Sequence, residues 1–269
     1  MTIVEAAPAK INLALHVRAR RPDGYHEIET LFAFCRDGDA VTVEAAGTDS
    51  FTLTGPFADK LAGEGHNLVL AARDAFAAVY GPLPPLAITL DKRLPVASGI
   101  GGGSADAAAT LRAMARLKAV DPAGLRDVAL SLGSDVPACL LGRTARGAGR
   151  GEALEPLDGL SGTPVLLVNP GVAVSTAAVF KAWDGVDRGP LEAFENGRND
   201  LESPALALVP VIGDVLDLLV NQRGVTLARM SGSGATCFAL FDAPASRTAA
   251  HAAIVAAQPD WWCLESTLA

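Results

Sequence analysis

The chain has 269 residues, 50% of them hydrophobic and 19% charged, with a net charge of −8 at pH 7. That length supports one large core or two modest ones. The acidic balance argues against non-specific binding to nucleic acid or to a membrane surface, so an anionic ligand has to be held by helix N-termini, a few cations or a metal.

Residues 10–17 alternate, with Ile11, Leu13, Leu15 and Val17 on one face and Lys10, Asn12, Ala14 and His16 on the other. This is the period of a half-buried strand, and it points Lys10 and Asn12 the same way. The residues alone leave that second face open between a site and an ordinary solvated surface. Pro22, Asp23 and Gly24 signal a turn. Strands are predicted over 26–35 and 40–45, joined by a hairpin turn at Asp37-Gly38-Asp39. A helix is predicted over 67–80 with Asn67 as N-cap, ended by Pro82, Pro84 and Pro85.

A strand over 86–90 runs into residues 95–109, PVASGIGGGSADAAA. Gly99, Gly101, Gly102 and Gly103 point to backbone geometry or a close approach that a Cβ would forbid. Ser104 is the predicted N-cap of a helix reaching Ala119, with Leu111, Met114 and Ala115 facing the core. Such a turn presents free N–H groups and the positive end of a helix dipole, and phosphate is the usual guest. A tight strand-to-helix connection would use the same glycines. The GxxxxGK[ST] pattern is absent, and the dinucleotide fingerprint would need glycine where Ser104 stands. No GxSxG surrounds Ser104 or Ser233.

A helix is expected over 122–132, ending at Gly133-Ser134-Asp135-Val136-Pro137. Gly142–Gly151 is glycine-dense and carries Arg143, Arg146 and Arg150; with Pro156 and Gly159 it places a domain boundary near 150–162, giving domains 1–155 and 156–269. The second half reads as strand 165–168, helices 175–183, 200–208 and 212–220, strands 226–229 and 236–241, helix 245–256 and strand 262–266. That order suggests an α+β sandwich with helices on one side of a sheet. Met230–Ala235, MSGSGA, is another glycine-rich turn.

Cys35, Cys139, Cys237 and Cys263 form no CxxC pair, and the start of the chain lacks the basic and apolar regions of a secretory signal. No apolar run reaches the about 18 residues of a spanning helix. A soluble cytoplasmic protein with reduced thiols is expected. His16, His26, His66 and His251 show no HExxH spacing, so no structural zinc site is expected.

Phosphoryl transfer needs a cradle for phosphate oxygens, a cation, and a group that orients or deprotonates the attacking hydroxyl. The 95–105 loop supplies the first, Mg²⁺ and a lysine the second, and Asp135 the third. Ser134-Asp135 suits an Asx turn or N-cap equally well.

PAKINLAL at 8–15, PVASGIGGGSADAA at 95–108 and SGSGAT at 231–236 resemble the three motifs of the GHMP kinases. PAKINL, RRPDGYHEIETLF at 20–32, LGSDVP at 132–137 and GRGE at 149–152 resemble, more finely, the members that phosphorylate the 2-hydroxyl of 4-diphosphocytidyl-2-C-methyl-D-erythritol in non-mevalonate isoprenoid biosynthesis. The resemblance runs from Pro8 to Phe241, and DGYHEIETLF is its most specific piece. It implies a two-domain α+β fold, with an N-terminal α/β nucleotide-binding domain and a C-terminal ferredoxin-like sandwich, and an ATP-dependent kinase of a cytidine diphosphate-linked polyol. It also implies a monomer or homodimer that uses neither nucleic acid nor membrane.

By the same resemblance Lys10 and Asp135 are the catalytic pair. Asp135 takes the proton of the attacking hydroxyl, and Lys10 favours the ionised carboxylate and the developing alkoxide. Pro95, Val96, Ala97, Ser98, Gly99, Ile100, Gly101, Gly102, Gly103, Ser104 and Ala105 form the ATP loop, Asn67 lies near adenine, and Ser104 is an oxygen ligand to phosphate or Mg²⁺. Asn12, Tyr25 and His26 belong to the cytidine end, with Phe180 stacked across the base from Tyr25. Phe180 also suits a helix core. Gly232, Ser233 and Gly234 wall the transferred phosphate. Ala97-Ser98 replaces a more glycine-rich start to the loop, and Ala177-Ala178 stands where a proline often precedes the aromatic. A GHMP kinase for another small alcohol is the alternative; a non-catalytic nucleotide binder would be expected to lack Lys10 or Asp135.

Overall fold

The structure is a computed structural model describing residues 1–61, 67–193 and 197–269; His66 lies outside the described residues. The chain runs β1 (Thr2–Arg20), β2 (His26–Ala45), β3 (Ser50–Thr54), α1 (Ala58–Leu61), α2 (Leu68–Tyr80), β4 (Leu86–Asp91) and α3 (Gly102–Lys118). A 3₁₀ turn at Pro122–Leu125 leads into α4 (Arg126–Leu132), α5 (Val136–Leu141), β5 (Ala145–Gly149), β6 (Ala153–Pro156) and β7 (Pro164–Asn169). Then come α6 (Thr176–Ala182), α7 (Glu202–Leu208), α8 (Val211–Val220), β8 (Val225–Met230), β9 (Cys237–Phe241), α9 (Pro244–Ala257) and β10 (Trp262–Thr267).

These elements gather into two compact units that interleave along the sequence. The first holds Met1–Ala9, Asp37–Val96 and Gly101–Gly142; the second holds Lys10–Arg36, Ala97–Ile100 and Arg143–Ala269. The units depart from the single cut expected near 155, because β1 and β2, at 19 and 20 residues, are long enough to serve both.

In the first unit, Ala40–Ala45 pairs antiparallel with β4, and β3 pairs parallel with β4. α3 packs against α2 and α5. Its buried run of Ala105, Ala107, Ala108 and Ala109 keeps that helix close to its neighbours, with Leu111 and Met114 as its larger core residues. The hairpin expected at 37–39 does not form; β2 runs straight through it. A Cβ on Gly38 would overlap the Ala7 carbonyl oxygen and lie 2.7 Å from Pro8 Cα, so this glycine serves a close strand contact and not a bend. The helix expected to start at Ser104 starts earlier. Gly101, at φ +65°, is the N-cap, and Ser104 sits inside the first turn. The left-handed glycine sets the start, a conformation that costs other residues roughly 1–2 kcal/mol.

In the second unit, Ile28–Phe32 pairs with β5, and β5 with β6. The 142–151 segment is therefore partly strand. Gly147 leaves room for the Phe32 ring, whose Cε2 would lie 2.7 Å from a Cβ there. A four-stranded antiparallel sheet in the order β10-β7-β9-β8 follows. Leu166, Val168, Cys237 and Ala239 from its strands pack with Val179, Ile212, Val215, Leu219 and Ile254 from α6, α8 and α9. This is the expected α+β sandwich. β1 differs from the half-buried expectation: Lys10, Asn12 and His16 are as buried as Ile11 and Leu13. The polar face is satisfied inside the protein. His16 Nδ1 lies 3.2 Å from the Gly189 carbonyl, and Nε2 accepts from the Arg198 N–H at 3.2 Å.

No helix among the described residues is long and apolar enough to cross a membrane. Burial pushes the Cys263 thiol up to about 11. Burial, then Glu202, pushes Cys237 higher still. Thiols held protonated are poor nucleophiles. Iodoacetamide at neutral pH is therefore expected to leave both unmodified in the native protein, as read by mass spectrometry; rapid alkylation would show that these burials are wrong.

Candidate active site

The spacing of two along β1 brings Lys10 and Asn12 to one side, and both are buried. Lys10 Nζ donates to Asn12 Oδ1 at 2.9 Å and lies 5.3 Å from the centroid of the Phe32 ring. Asn12 Nδ2 donates to Thr30 Oγ1 at 2.8 Å, and that hydroxyl donates to the Ala14 carbonyl at 2.7 Å. A buried ammonium is tolerable only with such partners. Asn12, expected as a substrate contact, has both amide atoms engaged here, and it fixes the direction of the lysine.

Residues 97–100 dock on the MSGSGA turn within the same unit. Ser231 Oγ accepts the Asn12 N–H at 3.1 Å and donates to the Gly99 carbonyl at 3.0 Å. The Thr236 N–H donates to the Ser98 carbonyl at 3.1 Å, and the Lys10 N–H to the Ile100 carbonyl at 3.0 Å. Asn199 Nδ2 holds the turn from behind, donating to the carbonyls of Met230 and Gly232 at 2.8 Å each. Gly232, Ser233 and Gly234 are buried, and Ser233 Oγ lies 2.9 Å from Thr176 Oγ1. Ala97, one of the two departures in the loop, takes φ +51°, so this chain places a Cβ on backbone that favours glycine.

In the first unit the loop passes into α3. The Gly101 cap supplies no side-chain hydrogen bond, and the first intrahelical bond is Ala105 N–H to the Gly101 carbonyl at 2.8 Å. The first-turn amides of Gly102, Gly103 and Ser104 are therefore without an N-cap side chain, the arrangement that takes a phosphate. Asn67 caps α2, its Oδ1 accepting the Val69 N–H at 2.8 Å. Asp135 stands at the N-cap of α5, and its side chain makes no capping bond. Asp135 thus takes the N-cap position that one of its two readings gave it, although its partly exposed carboxylate does not cap the helix.

The residues expected at the cytidine end, Tyr25, His26 and Phe180, lie in the second unit. Tyr25 is exposed, and the Arg150 guanidinium lies 4.8 Å from its ring centroid. The His26 ring sits 4.8 Å from Phe180 at 38° and 5.8 Å from Trp183, edge-on. Phe180 is only partly buried and packs at the rim of the core, which fits both of its expected roles. Burial, then the Arg20 charge, lowers the His26 pKa from its ordinary 6.5. The ring is neutral at pH 7, with one nitrogen a donor and one an acceptor. Its Nε2 is buried without a hydrogen-bond partner.

Among the described residues no group of three or more His, Cys, Asp or Glu could hold a metal. Mg²⁺ bound through nucleotide phosphates and one or two protein oxygens needs no such cage. The half-exposed Ser104 hydroxyl in the first turn of α3 fits that mode.

The sequence matches the family model of the GHMP kinases N terminal domain over residues 67–143 and that of the GHMP kinases C terminal over 190–258. The chain belongs to the GHMP kinases. A 4-diphosphocytidyl-2-C-methyl-D-erythritol kinase of Rhizorhabdus wittichii is 56% identical to this GHMP kinase over 98% of the chain and 94% of the relative. One of Sphingopyxis alaskensis is 50% identical over 99% of each. The crystal structure of a 4-(cytidine 5'-diphospho)-2C-methyl-D-erythritol kinase superposes with a TM-score of 0.82 at 36% identity, covering 100% of this chain and 99% of that one. A homoserine kinase from Cytophaga hutchinsonii shares the fold at a TM-score of 0.73 and 17% identity.

Thr30, Ser231 and Asn199 of this kinase were not singled out from the sequence. Thr30 and Ser231 lie inside quoted motifs, so their neighbourhood was marked and their hydrogen bonds were not. Asn199 lies in a stretch with no motif, and only the structure shows its grip on the 230–232 backbone.

Proposed function

We propose that this GHMP kinase transfers the γ-phosphoryl group of ATP to the 2-hydroxyl of 4-diphosphocytidyl-2-C-methyl-D-erythritol, giving the 2-phosphate and ADP, in isoprenoid precursor biosynthesis in the cytoplasm. The observation that carries the substrate is the aromatic group at the start of β2: an exposed Tyr25, a neutral His26 with an unpartnered nitrogen, and Phe180 against it. A flat base with donors and acceptors suits that surface. Homoserine and mevalonate have no base to offer it.

Asp135 accepts the proton of the 2-hydroxyl as its oxygen attacks the γ-phosphorus. Lys10, aimed by Asn12, supplies positive charge for the developing charge on the attacking oxygen. The first-turn amides and dipole of α3 bind the β- and γ-phosphates, and Ser104 holds Mg²⁺. The metal supplies charge neutralisation at the phosphates. ADP release in the presence of Mg-ATP tests the reading. Turnover with the cytidyl polyol, and none with homoserine or mevalonate, is expected. Turnover with a control alcohol alone would move the activity to another small alcohol, and no ADP from folded protein would refute catalysis.

Tyr25→Ala tests the base site. Stacking is worth roughly 1–3 kcal/mol per base, so the KM for the cytidyl substrate should rise roughly 5- to 150-fold. The KM for ATP should stay within about twofold. Equal effects on the two would remove Tyr25 from the base site.

A further inference from the structure

A buried charge cluster ties the two shoulders of the phosphate loop together inside the first unit. Asp39 Oδ1 accepts the backbone N–H groups of Arg93 at 2.5 Å and Leu94 at 2.8 Å, the residues just before Pro95. Asp39 Oδ2 accepts from Lys92 Nζ at 2.5 Å, and the same Nζ donates to Asp106 Oδ2, in the second turn of α3, at 2.8 Å. The Lys92, Asp39 and Asp106 side chains are 3%, 0% and 4% exposed. The ammonium lies directly under the helix start, since a Cβ on Gly102 would sit 2.9 Å from Nζ.

Burying an ammonium against two carboxyl groups is a poor way to gain stability, because apolar side chains of similar volume often do as well or better. Asp106 Oδ1 is also left buried without a hydrogen-bond partner, which a core built for stability alone would avoid. What the cluster gives is geometry: one carboxylate fixes where the loop begins, and one lysine fixes that point to the helix on which the loop ends. We infer that Asp39, Lys92 and Asp106 form a positioning clamp for the nucleotide loop, setting the aim of the Gly102–Ser104 amides at the phosphates of ATP. The inference rests on the reading of 95–105 as the ATP loop.

Asp106→Ala cuts the link to α3 and leaves Lys92 paired with Asp39. It should weaken Mg-ADP binding, measured by calorimetry, about tenfold and raise the KM for ATP by a similar factor, as expected when binding groups lose their alignment. The KM for the cytidyl substrate should stay within about twofold. Asp106→Asn keeps an acceptor for Lys92 and should restore ADP binding to near the wild-type value. If Asp106→Ala fails to fold, Lys92→Arg carries the test: it keeps every charge, changes the span of the link, and should raise the KM for ATP alone. Unchanged ADP binding in folded Asp106→Ala, parallel rises in both KM values, or no rescue by Asp106→Asn would each overturn the clamp. Absence of ADP binding by the wild-type protein would instead overturn the loop reading.

Discussion

Asp135→Asn is expected to lower kcat by about two to four orders of magnitude, the usual worth of a positioned general base. The variant should still fold, because the carboxylate makes no capping bond to α5 and is half-exposed. Loss of a negative charge at a helix N-terminus costs typically 0.3–1 kcal/mol. It should also still bind nucleotide, because the phosphates are assigned to the α3 amides and not to Asp135. Steady-state kcat beside Mg-ADP calorimetry separates the two effects. Unchanged turnover would sink the proton-acceptor role, and lost ADP binding would show that Asp135 shapes the cradle itself. Lys10→Ala is a less informative first experiment. Lys10 is 3% exposed and held by Asn12, so its removal leaves a buried acceptor unpaired and a void beside Phe32. A loss of activity there would mix chemistry with folding.

Much of this kinase was legible in its sequence because short-range physics decides it. The Asn67 cap, the 68–80 helix, the strand before the loop and the α/β order of the second half follow from periodicity and capping, and they appear within a residue or two of where the pattern puts them. Gly38 was misread, and the role of Gly147 went unread, for a common reason. In sequence a glycine signals a turn or a linker, whereas here it makes room for another strand's backbone or for a phenylalanine ring, and such contacts join residues far apart in the chain. The polar face of β1 was misjudged for the same cause: Thr30, Gly189 and Arg198 satisfy it from distant segments. The Asp39–Lys92–Asp106 cluster is the extreme case. Its members are separated by 53 and 14 residues, and each alone reads as an ordinary charge. Residue type and local spacing located the motifs, and long-range hydrogen bonding holds them.

Gly99→Ala should be the most damaging single methyl group in the loop. Gly99 has φ +77°, a conformation that costs an alanine roughly 1–2 kcal/mol. The added Cβ would lie 2.5 Å from the Ser231 carbonyl oxygen and 2.7 Å from that of Gly234. Both are backbone atoms of a turn that Asn199 pins from behind, so neither yields as a side chain would. Overpacking of this kind costs typically 1–3 kcal/mol, giving a combined loss of about 2–5 kcal/mol. For a chain of this size that is a fall in Tm of roughly 5–20 °C. The Gly99 carbonyl would also be pushed off Ser231 Oγ, and with it the 97–100 backbone that leads into the proposed phosphate cradle, so ADP binding should weaken in the same variant. Gly102→Ala is the paired control. Its Cβ meets the clamped Lys92 ammonium at 2.9 Å, but Gly102 carries no left-handed φ and its Cβ meets no backbone atom, so a smaller fall in Tm is expected than for Gly99→Ala. Gly103→Ala, on an exposed position whose nearest neighbour is Leu68 Cδ1 at 3.3 Å, should fall least. The ranking is the test: if Gly99→Ala melts as high as Gly103→Ala, the loop does not rest on the 230–235 turn, and the route by which that turn is said to shape the nucleotide site is lost.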